Sequence, residues 1–251
     1  MIVTDASEEQ ALHEIGQIVA DVLQRMGKAI EPGLTTRELD AMGLRWLTEA
    51  GARSAPQVMY KFPGATCISI NHEVAHGIPG DTVIQAGDLV NIDVSAEKNG
   101  FFGDTGTSFC VGEPTPVQQR LLQAGRDILA LAMEVATADA KINEIGRVIS
   151  DTARERGYTF IRNLGSHGVG RSLHEAPKFI APYYDRKDKR RLKKGMVITI
   201  EPFISNGAQQ VSEAADGWTL FTSPRFQTVQ FEHSMIITEG KPTILTLPPQ
   251  N

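Results

Sequence analysis

The sequence predicts an α+β fold in which paired helices pack on antiparallel strands. Helical spacing of apolar residues recurs in four segments, and short β-rich runs follow each pair of these segments. An approximate repeat of such units along the chain is the third observation that favours this class.

The helices are predicted from apolar spacing and from signals at their first residues. Thr35 and Glu38 have the spacing of a capping box, and Pro116 after Thr115 suits the first turn of a helix. The predicted helices cover residues 8–27, 35–50, a segment that begins at 115, and 142–156; the predicted strands cover 67–71, 87–94, 101–111, 196–201 and 228–238.

The repeat pairs two strand motifs that each end in an acid. Residues 87–93 and 195–201 share the order Gly, any residue, two apolar residues, a polar residue, Ile and an acid, at an offset of 108. Helical segments upstream match each other at an offset of 106. Together the matches predict two halves related by an approximate two-fold axis, with Asp93 and Glu201 as symmetry mates.

Composition favours one domain over residues 1–251, with halves at approximately 8–114 and 115–245. The net charge of −5 excludes a global basic field for nucleic acid, and the basic segment 186–194 is interpreted as a solvated loop. Two cysteines do not make a disulfide framework, and no apolar stretch is long enough to predict a membrane span. Without an amino-terminal signal pattern, we expect a cytoplasmic monomer with no membrane partner.

Five residues that can bind metal lie in strand-like or glycine-marked contexts. Four are carboxylates and one is an imidazole, a ligand set that suits divalent cations such as Co, Mn, Fe or Zn. We expect two divalent metal ions bound by Asp93, Asp104, His167, Glu201 and Glu232.

The first two of these residues are predicted to share a hairpin. Residues 97–100 have a turn composition with Gly last, as a type I turn favours. If the turn is centred between Lys98 and Asn99, Asp93 lies directly opposite Asp104. Like charges at that position destabilise a strand pair, and a bound dication removes the conflict. The alternative is that one Asp caps a turn and the other is solvated.

The motifs around these residues resemble those of the type I methionine aminopeptidases. The similarity extends from about residue 8 to Leu247, with the motifs in the family's order, at residues 67–79, 90–94, 103–105, 167–171, 174–177, 199–202 and 230–233. It implies the family's pita-bread fold, with two α+β halves around a dinuclear metal centre. The short separation of His174 from Glu201 differs from the type II enzymes, which carry a helical insertion there. Without the amino-terminal Cys/His-rich extension of eukaryotic cytosolic type I enzymes, the chain resembles the minimal, bacterial-like form.

The resemblance also implies roles for the five ligands. Asp93 chelates one metal ion and His167 binds the other, while Asp104 and Glu232 bridge the two. Glu201 completes the shell of the second ion and accepts a proton from the attacking water.

Two further histidines match the family's substrate-contacting positions. The resemblance assigns His174 to the oxygen that gains charge in the tetrahedral intermediate and His76 to the substrate's backbone amide. Without the resemblance, each is interpreted as an ordinary hydrogen-bonded histidine.

The resemblance further implies an apolar slot for a methionine side chain. The polarisable sulfur of methionine packs well against apolar surfaces. Its predicted lining is Met59, Phe62, Cys67, Leu173 and Trp218; as an alternative, these are simple core residues. The sequence departs from the family at five positions: Met59 and Phe62 replace tyrosines, Leu173 replaces Phe, Ser166 replaces Gly, and Gly106 replaces a small hydroxyl residue.

The expected function is hydrolytic removal of the initiator methionine from nascent proteins and peptides whose second residue is small. The expected partners are nascent polypeptide amino termini, including those at the ribosome. Two alternatives stay open: an Xaa-Pro peptidase on the same fold, and a non-catalytic binding protein on that scaffold.

Overall fold

The computed structural model describes residues 1–248 of the chain. Four of its helices confirm the predicted segments, and a short fifth one was not predicted. The helices are α1 Ala6–Ala29, α2 Thr36–Glu49, α3 Ala55–Tyr60, α4 Pro116–Glu134 and α5 Asn143–Glu155.

Side chains at the first residues fix where two of these helices begin. Thr35 accepts from the amide of Glu38 while the Glu38 side chain accepts from Thr35, so the predicted capping box at α2 is confirmed. Thr115 and Gln118 make the equivalent pair at α4, where Pro116 occupies the first helical position.

The strands are short except for one hairpin. They are β1 Arg53–Ser54, β2 Cys67–Ile70, β3 Glu73–Ala75, β4 Leu89–Lys98, β5 Phe101–Cys110, β6 Thr159–Phe160, β7 Ser166–Gly168, β8 Glu175–Ile180, β9 Val197–Ile200, β10 Phe203–Ser205, β11 Ser212–Glu213, β12 Leu220–Phe221, β13 Thr228–Gln230, β14 His233–Ile236 and β15 Thr243–Ile244.

The strands form four antiparallel sheets among the described residues. β4 pairs with β5, β1 and β2, and a second large sheet has the order β15-β14-β9-β7-β8. Two three-stranded sheets, β13-β10-β6 and β11-β12-β3, complete the architecture. Helices α1 and α2 pack beside the first large sheet, and α4 and α5 pack beside strands of the second half.

The register of the β4–β5 hairpin differs from the prediction. Lys98 pairs with Phe101, and Asn99 and Gly100 form the turn with φ angles of 53° and 80°. A two-residue Asn-Gly turn with both φ angles positive matches the right-handed twist of the strands. The predicted register, with the turn centred one residue earlier, is therefore wrong.

The corrected register moves the two aspartates from opposite to diagonal positions. Asp93 faces Gly106 and Asp104 faces Ser95. Because side chains alternate between the faces of a strand, Asp93 and Asp104 still share one face of the hairpin. They lie close enough for their carboxyl groups to interact directly.

The predicted strand over 228–238 is divided between two sheets. β13 pairs with β10, whereas β14 pairs with β9, and Glu232 lies between the two strands. Hydrogen bonds tie this junction to β5: Glu232 N donates to Gly106 O, and Thr105 Oγ1 donates to Glu232 O. The division of the strand therefore brings Glu232 beside the β4–β5 hairpin.

The apolar core has two main clusters, each drawn mostly from one part of the chain. One contains Leu12, Leu39 and Ile92 together with other residues of α1, α2 and the first large sheet. The other contains Ile128, Ile149 and Ile198 with residues of α4, α5 and the second large sheet. The two-fold relation between halves at 8–114 and 115–245 stays a prediction. Within residues 1–248, no helix has the length and apolar character needed to cross a membrane.

The hairpin turn generates a stability prediction. Gly100→Ala should lower the free energy of unfolding by about 1 kcal/mol, because an L-residue is strained at positive φ. Added volume is not the cause, since the nearest neighbour of a new Cβ is Arg171 Nη1 at 3.7 Å. Chemical denaturation measures the effect.

Gly240→Ala is the matched control for this turn. Gly240 has no positive φ and no atom within 4 Å of an added Cβ, so its replacement should leave stability unchanged or raise it slightly. Equal effects of the two substitutions would contradict the two-residue turn.

Candidate metal centre and adjoining cavity

All five predicted ligand residues lie around one buried point, although they come from different strands. Asp93 is on β4, Asp104 on β5 and His167 on β7, while Glu201 follows β9 and Glu232 precedes β14. Ligand atoms of Asp104, His167 and Glu232 all lie within 4.8 Å of one another. Strand geometry fixes the backbone positions of three of them, and the other two directly adjoin strands, so little ordering of the chain is needed to bring them together.

His167 connects this group to the remaining carboxylates. Its Nε2 atom is 3.3 Å from Glu201 Oε1 and 3.6 Å from Asp104 Oδ2. Its Nδ1 atom is 3.0 Å from the carbonyl oxygen of Gly168. A carbonyl can only accept, so Nδ1 carries the proton of the neutral ring and the Nε2 lone pair is available to a metal ion.

Burial makes negative charge unfavourable at this point. Burial raises the pKa of Asp93 to about 6. It is also the main reason why the pKa values of Asp104, Glu201 and Glu232 lie well above their usual range. Repulsion between carboxylates adds to the rise in those three. Burial, followed by the nearby His174, lowers the pKa of His167 to about 3. A site that combines a neutral imidazole with crowded carboxyl groups is suited to bind a cation.

Two buried oxygen atoms supply an independent test of fit. Asp104 Oδ1 and Glu232 Oε1 have no hydrogen-bond partner among the described residues. Buried polar atoms normally have a partner, and an unpartnered carboxylate oxygen is costly unless a cation binds it. Both orphaned oxygens belong to the residues expected to bridge two metal ions, so the residues present fit divalent metal.

Hydrogen bonds with neighbouring side chains position Glu201. The Glu201 amide donates to Ser166 Oγ at 3.0 Å, and Thr199 Oγ1 donates to Glu201 Oε1 at 3.1 Å. Ser166 is one of the departures from the family pattern, and here it anchors the backbone of a predicted ligand. Such partners hold a metal ligand in its binding orientation.

The departure at Gly106 has a similar explanation. The side-chain amide of Gln230 fills the space beside Gly106, where an added Cβ would collide with it. That amide accepts from Asn91 Nδ2 at 2.8 Å and donates to Glu232 Oε2 at 3.0 Å. The missing side chain at position 106 therefore leaves room for the amide that orients Glu232.

A cavity of about 300 Å³ opens beside the cluster. Carboxylates and histidines form one part of its wall, and apolar and aromatic side chains form the rest. The lining residues are Pro56, Tyr60, Phe62, Cys67, His76, Asp93, Ser95, Asp104, His167, Leu173, His174, Glu201 and Trp218. A polar reaction point beside an apolar slot fits a substrate with an apolar side chain and a peptide group.

The structure brings both predicted substrate histidines to this wall. The rings of His174 and His167 have centroids 4.1 Å apart, and Tyr60 Oη lies 2.8 Å from His174 Nδ1. His76 adopts a left-handed backbone conformation with φ of 55°, which is uncommon for a residue other than Gly. This conformation occurs where His76 lines the cavity, as strained residues at functional sites often do.

The structure places all but one of the residues predicted for the apolar slot in the wall of the cavity. Phe62, Cys67, Leu173 and Trp218 all line the cavity, and Phe62 meets Trp218 edge to face at 5.2 Å. Met59 is not among the residues that line the cavity. The prediction for Met59 is corrected, because the unpredicted helix α3 places the next residue, Tyr60, in the cavity wall in its stead.

Several residues of the site, among them Ser95, Gln230 and Tyr60, were not identified from the sequence. Ser95 and Gln230 each stand two positions from a predicted ligand, Asp93 and Glu232 respectively, and alternation along a strand was a signal that could have identified both. Tyr60 carried no such signal, because its position depends on the end of α3 and on a partner 114 residues away.

The titration of the cluster generates a prediction for the metal-free protein. A carboxyl group whose pKa is raised on folding binds more protons when folded, so stability falls as pH rises. The lowered pKa values of His167, His174 and His233 act in the opposite direction, but only below the unfolded value of 6.5. The melting temperature should therefore fall as the pH rises above the unfolded histidine value of 6.5, as calorimetry of chelator-treated protein would measure.

Metal loading and one variant serve as controls for this titration. Saturating divalent cation should raise the melting temperature more at the higher pH. Glu232→Gln, which removes one of the carboxylates, should make the metal-free pH dependence shallower. A melting temperature of the metal-free protein that does not change with pH would show that the carboxyl groups are not coupled to folding.

Comparisons with known proteins agree with this geometry. Residues 10–239 match the model of metallopeptidase family M24. The chain is 47% identical to methionine aminopeptidase 2 of Bacillus subtilis, over 98% of this chain and 99% of the relative. Its structure matches a methionine aminopeptidase from Thermotoga maritima at a TM-score of 0.93 and 33% identity, over 98% of this chain and 99% of that one.

The same fold occurs in a peptidase of different specificity. A prolidase from Pyrococcus furiosus matches at a TM-score of 0.80 and 26% identity, over 99% of this chain and 66% of the prolidase. The expected pita-bread fold is confirmed by these structural relatives. Because the family model matches most of the chain, and a relative 47% identical covers nearly all of it, the chain belongs to metallopeptidase family M24.

Proposed function

We propose that the protein is a methionine aminopeptidase that hydrolyses the first peptide bond of chains whose second residue is small. The observation that carries the proposal is the junction of the buried acid and histidine cluster with an apolar slot in one cavity. The full-length similarity to methionine aminopeptidases supports it further.

Asp93, Asp104, His167, Glu201 and Glu232 would hold two divalent metal ions, whose identity depends on availability as well as affinity. When bound, such ions activate water at neutral pH and polarise the peptide carbonyl. The protein contributes ligands whose positions are fixed by strands from separate sheets.

Glu201 is proposed to accept the proton of the attacking water. It lines the cavity, and its carboxyl group is oriented by Thr199 Oγ1. A carboxylate that lines the cavity beside the other candidate ligands is a suitable proton acceptor once it is ionised.

The histidines are proposed to orient the substrate and stabilise developing charge. His174 donates to the carbonyl oxygen, where negative charge accumulates in the tetrahedral intermediate. His76, at the same wall, binds the backbone amide of the substrate. Phe62, Cys67, Leu173 and Trp218 enclose the methionine side chain.

Two alternative functions are supported less well. An Xaa-Pro peptidase shares the fold, but the prolidase relative is 26% identical where the methionine aminopeptidase of Bacillus subtilis is 47% identical. A non-catalytic binding protein has no need of five metal-ligand residues around one point. Two of these residues, Asp104 and Glu232, carry buried oxygens without a hydrogen-bond partner among the described residues.

The proposed substrates are the amino termini of newly made polypeptides in the cytoplasm, where the protein acts as a monomer and meets chains at the ribosome. The test is incubation of metal-loaded protein with Met-Ala-Ser and with Ala-Pro peptides, followed by identification of the released residue. Release of methionine alone supports the proposal, and release of alanine from Ala-Pro would select the Xaa-Pro alternative.

His174→Ala should lower kcat by about 10²–10³ because it removes a donor to the developing oxyanion. The ratio of bound metal to protein should stay unchanged, since His174 is not among the proposed ligands. Steady-state kinetics and elemental analysis provide the two measurements. A variant that keeps its kcat but loses a metal ion would make His174 a ligand instead.

Trp218→Ala should open the slot and weaken selection by shape. An apolar pocket discriminates a single methylene by only about 1–3 kcal/mol, so norleucine should be accepted nearly as well as methionine by the unchanged protein. In Trp218→Ala, the ratio of kcat/KM for Met-Ala-Ser over Leu-Ala-Ser should fall. Trp218→Phe retains a ring against Phe62, so this ratio should fall less in that variant. An unchanged ratio in Trp218→Ala would remove Trp218 from the specificity pocket.

A further inference from the structure

We propose that Tyr60 is a positioning residue: its hydroxyl donates to His174 Nδ1 and so keeps the proton of the neutral imidazole on Nε2, ready for the substrate's carbonyl oxygen. The inference rests on the proposed function, which makes His174 a donor, and it adds the residue that sets which nitrogen donates.

The position of Tyr60 is fixed by a short, well-anchored helix. Tyr60 is the last residue of α3, and Lys61 ends that helix in a left-handed conformation with φ of 59°. At the other end, Ser54 Oγ accepts from the amide of Gln57 and donates to Ala65 O at 2.7 Å. The loop on both sides of Tyr60 is therefore held by hydrogen bonds.

The helix is also attached to the strand that carries Asp93. Arg53 and Ser54 form β1, which pairs with Glu97 and Ala96 of β4. The guanidinium of Arg53 binds the largely buried carboxylate of Glu97 at 2.6 Å. Through this attachment, the strand that positions a metal ligand also positions the tyrosine hydroxyl.

His174 has little else to fix its ring. It lies in the loop before β8, and the bond to Tyr60 is the one hydrogen bond found for its imidazole among residues 1–248. The ring is placed between two others, with centroids 4.1 Å from His167 and 5.6 Å from Tyr60. Ring packing limits tilt, but it does not select a tautomer.

The hydrogen bond supplies that selection. A neutral imidazole has one N–H group, on either nitrogen, and the partner of one nitrogen determines the role of the other. Partial burial, followed by Asp104, raises the pKa of Tyr60, so the phenol retains a proton to donate. A phenol O–H is a stronger donor than its oxygen is an acceptor, so this bond favours an unprotonated Nδ1 and leaves the N–H of the neutral ring on Nε2.

The test compares Tyr60→Phe with Tyr184→Phe, which removes a hydroxyl from a tyrosine exposed outside the cavity. Both are assayed as metal-loaded proteins with Met-Ala-Ser. Loss of one neutral hydrogen bond should lower kcat of Tyr60→Phe about 3- to 10-fold, with KM nearly unchanged. Tyr184→Phe should match the unchanged protein. An unchanged kcat in Tyr60→Phe, or a rise in KM alone, would overturn the inference.

A double-mutant cycle separates positioning from direct action on the substrate. If Tyr60 acts through His174, adding Tyr60→Phe to His174→Ala should cause no further loss of kcat. A full further loss in the double variant would mean that the hydroxyl acts independently, and the inference would be wrong.

The tautomer itself provides a readout that does not depend on turnover. In zinc-loaded protein, the ¹⁵N chemical shifts of the His174 ring should show a protonated Nε2 and an unprotonated Nδ1, and Tyr60→Phe should shift both toward a mixture. A proton on Nδ1 in the unchanged protein would overturn the inference. If the unchanged protein released no methionine, the proposed function would fail, whereas these shifts would still decide the role of Tyr60.

Discussion

Repulsion among four closely grouped carboxylates, of which Asp104 and Glu232 are buried, is the constraint on which the site depends. Asp93, Asp104, Glu201 and Glu232 are drawn into one region from which the protein excludes most water, and burial raises the pKa of each. Such a cluster either keeps protons or binds cations. A neutral His167 and two orphaned carboxylate oxygens favour cations.

The fold overcomes this repulsion by using separate elements to hold each ligand. The β4–β5 hairpin carries two aspartates, and the division of one predicted strand into β13 and β14 delivers Glu232 to that hairpin. Gln230 and Ser166 then orient Glu232 and Glu201 by hydrogen bonds. Two of the departures from the family pattern, Gly106 and Ser166, are thereby explained as parts of this support.

The sequence predicted the helices, and which residues meet at the candidate metal centre, better than it predicted how the strands pair. Capping residues such as Thr35 and Thr115 act locally, so the helices they begin could be placed from the sequence. The hairpin register was missed because a turn composition with Gly last was preferred over the Asn99-Gly100 pair, although Asn-Gly is the stronger hairpin signal. The positions of Met59 and Tyr60 depend on where a six-residue helix ends, which periodicity cannot resolve.

The most direct test of this account is to locate bound cations in the protein. Crystals of manganese-loaded protein, with diffraction recorded near the manganese absorption edge, would show anomalous density wherever the ion binds. The account predicts two peaks between the carboxylates of Asp104 and Glu232, with His167 Nε2 beside one and Asp93 beside the other. A protein that releases methionine while showing no density between Asp104 and Glu232 would contradict it.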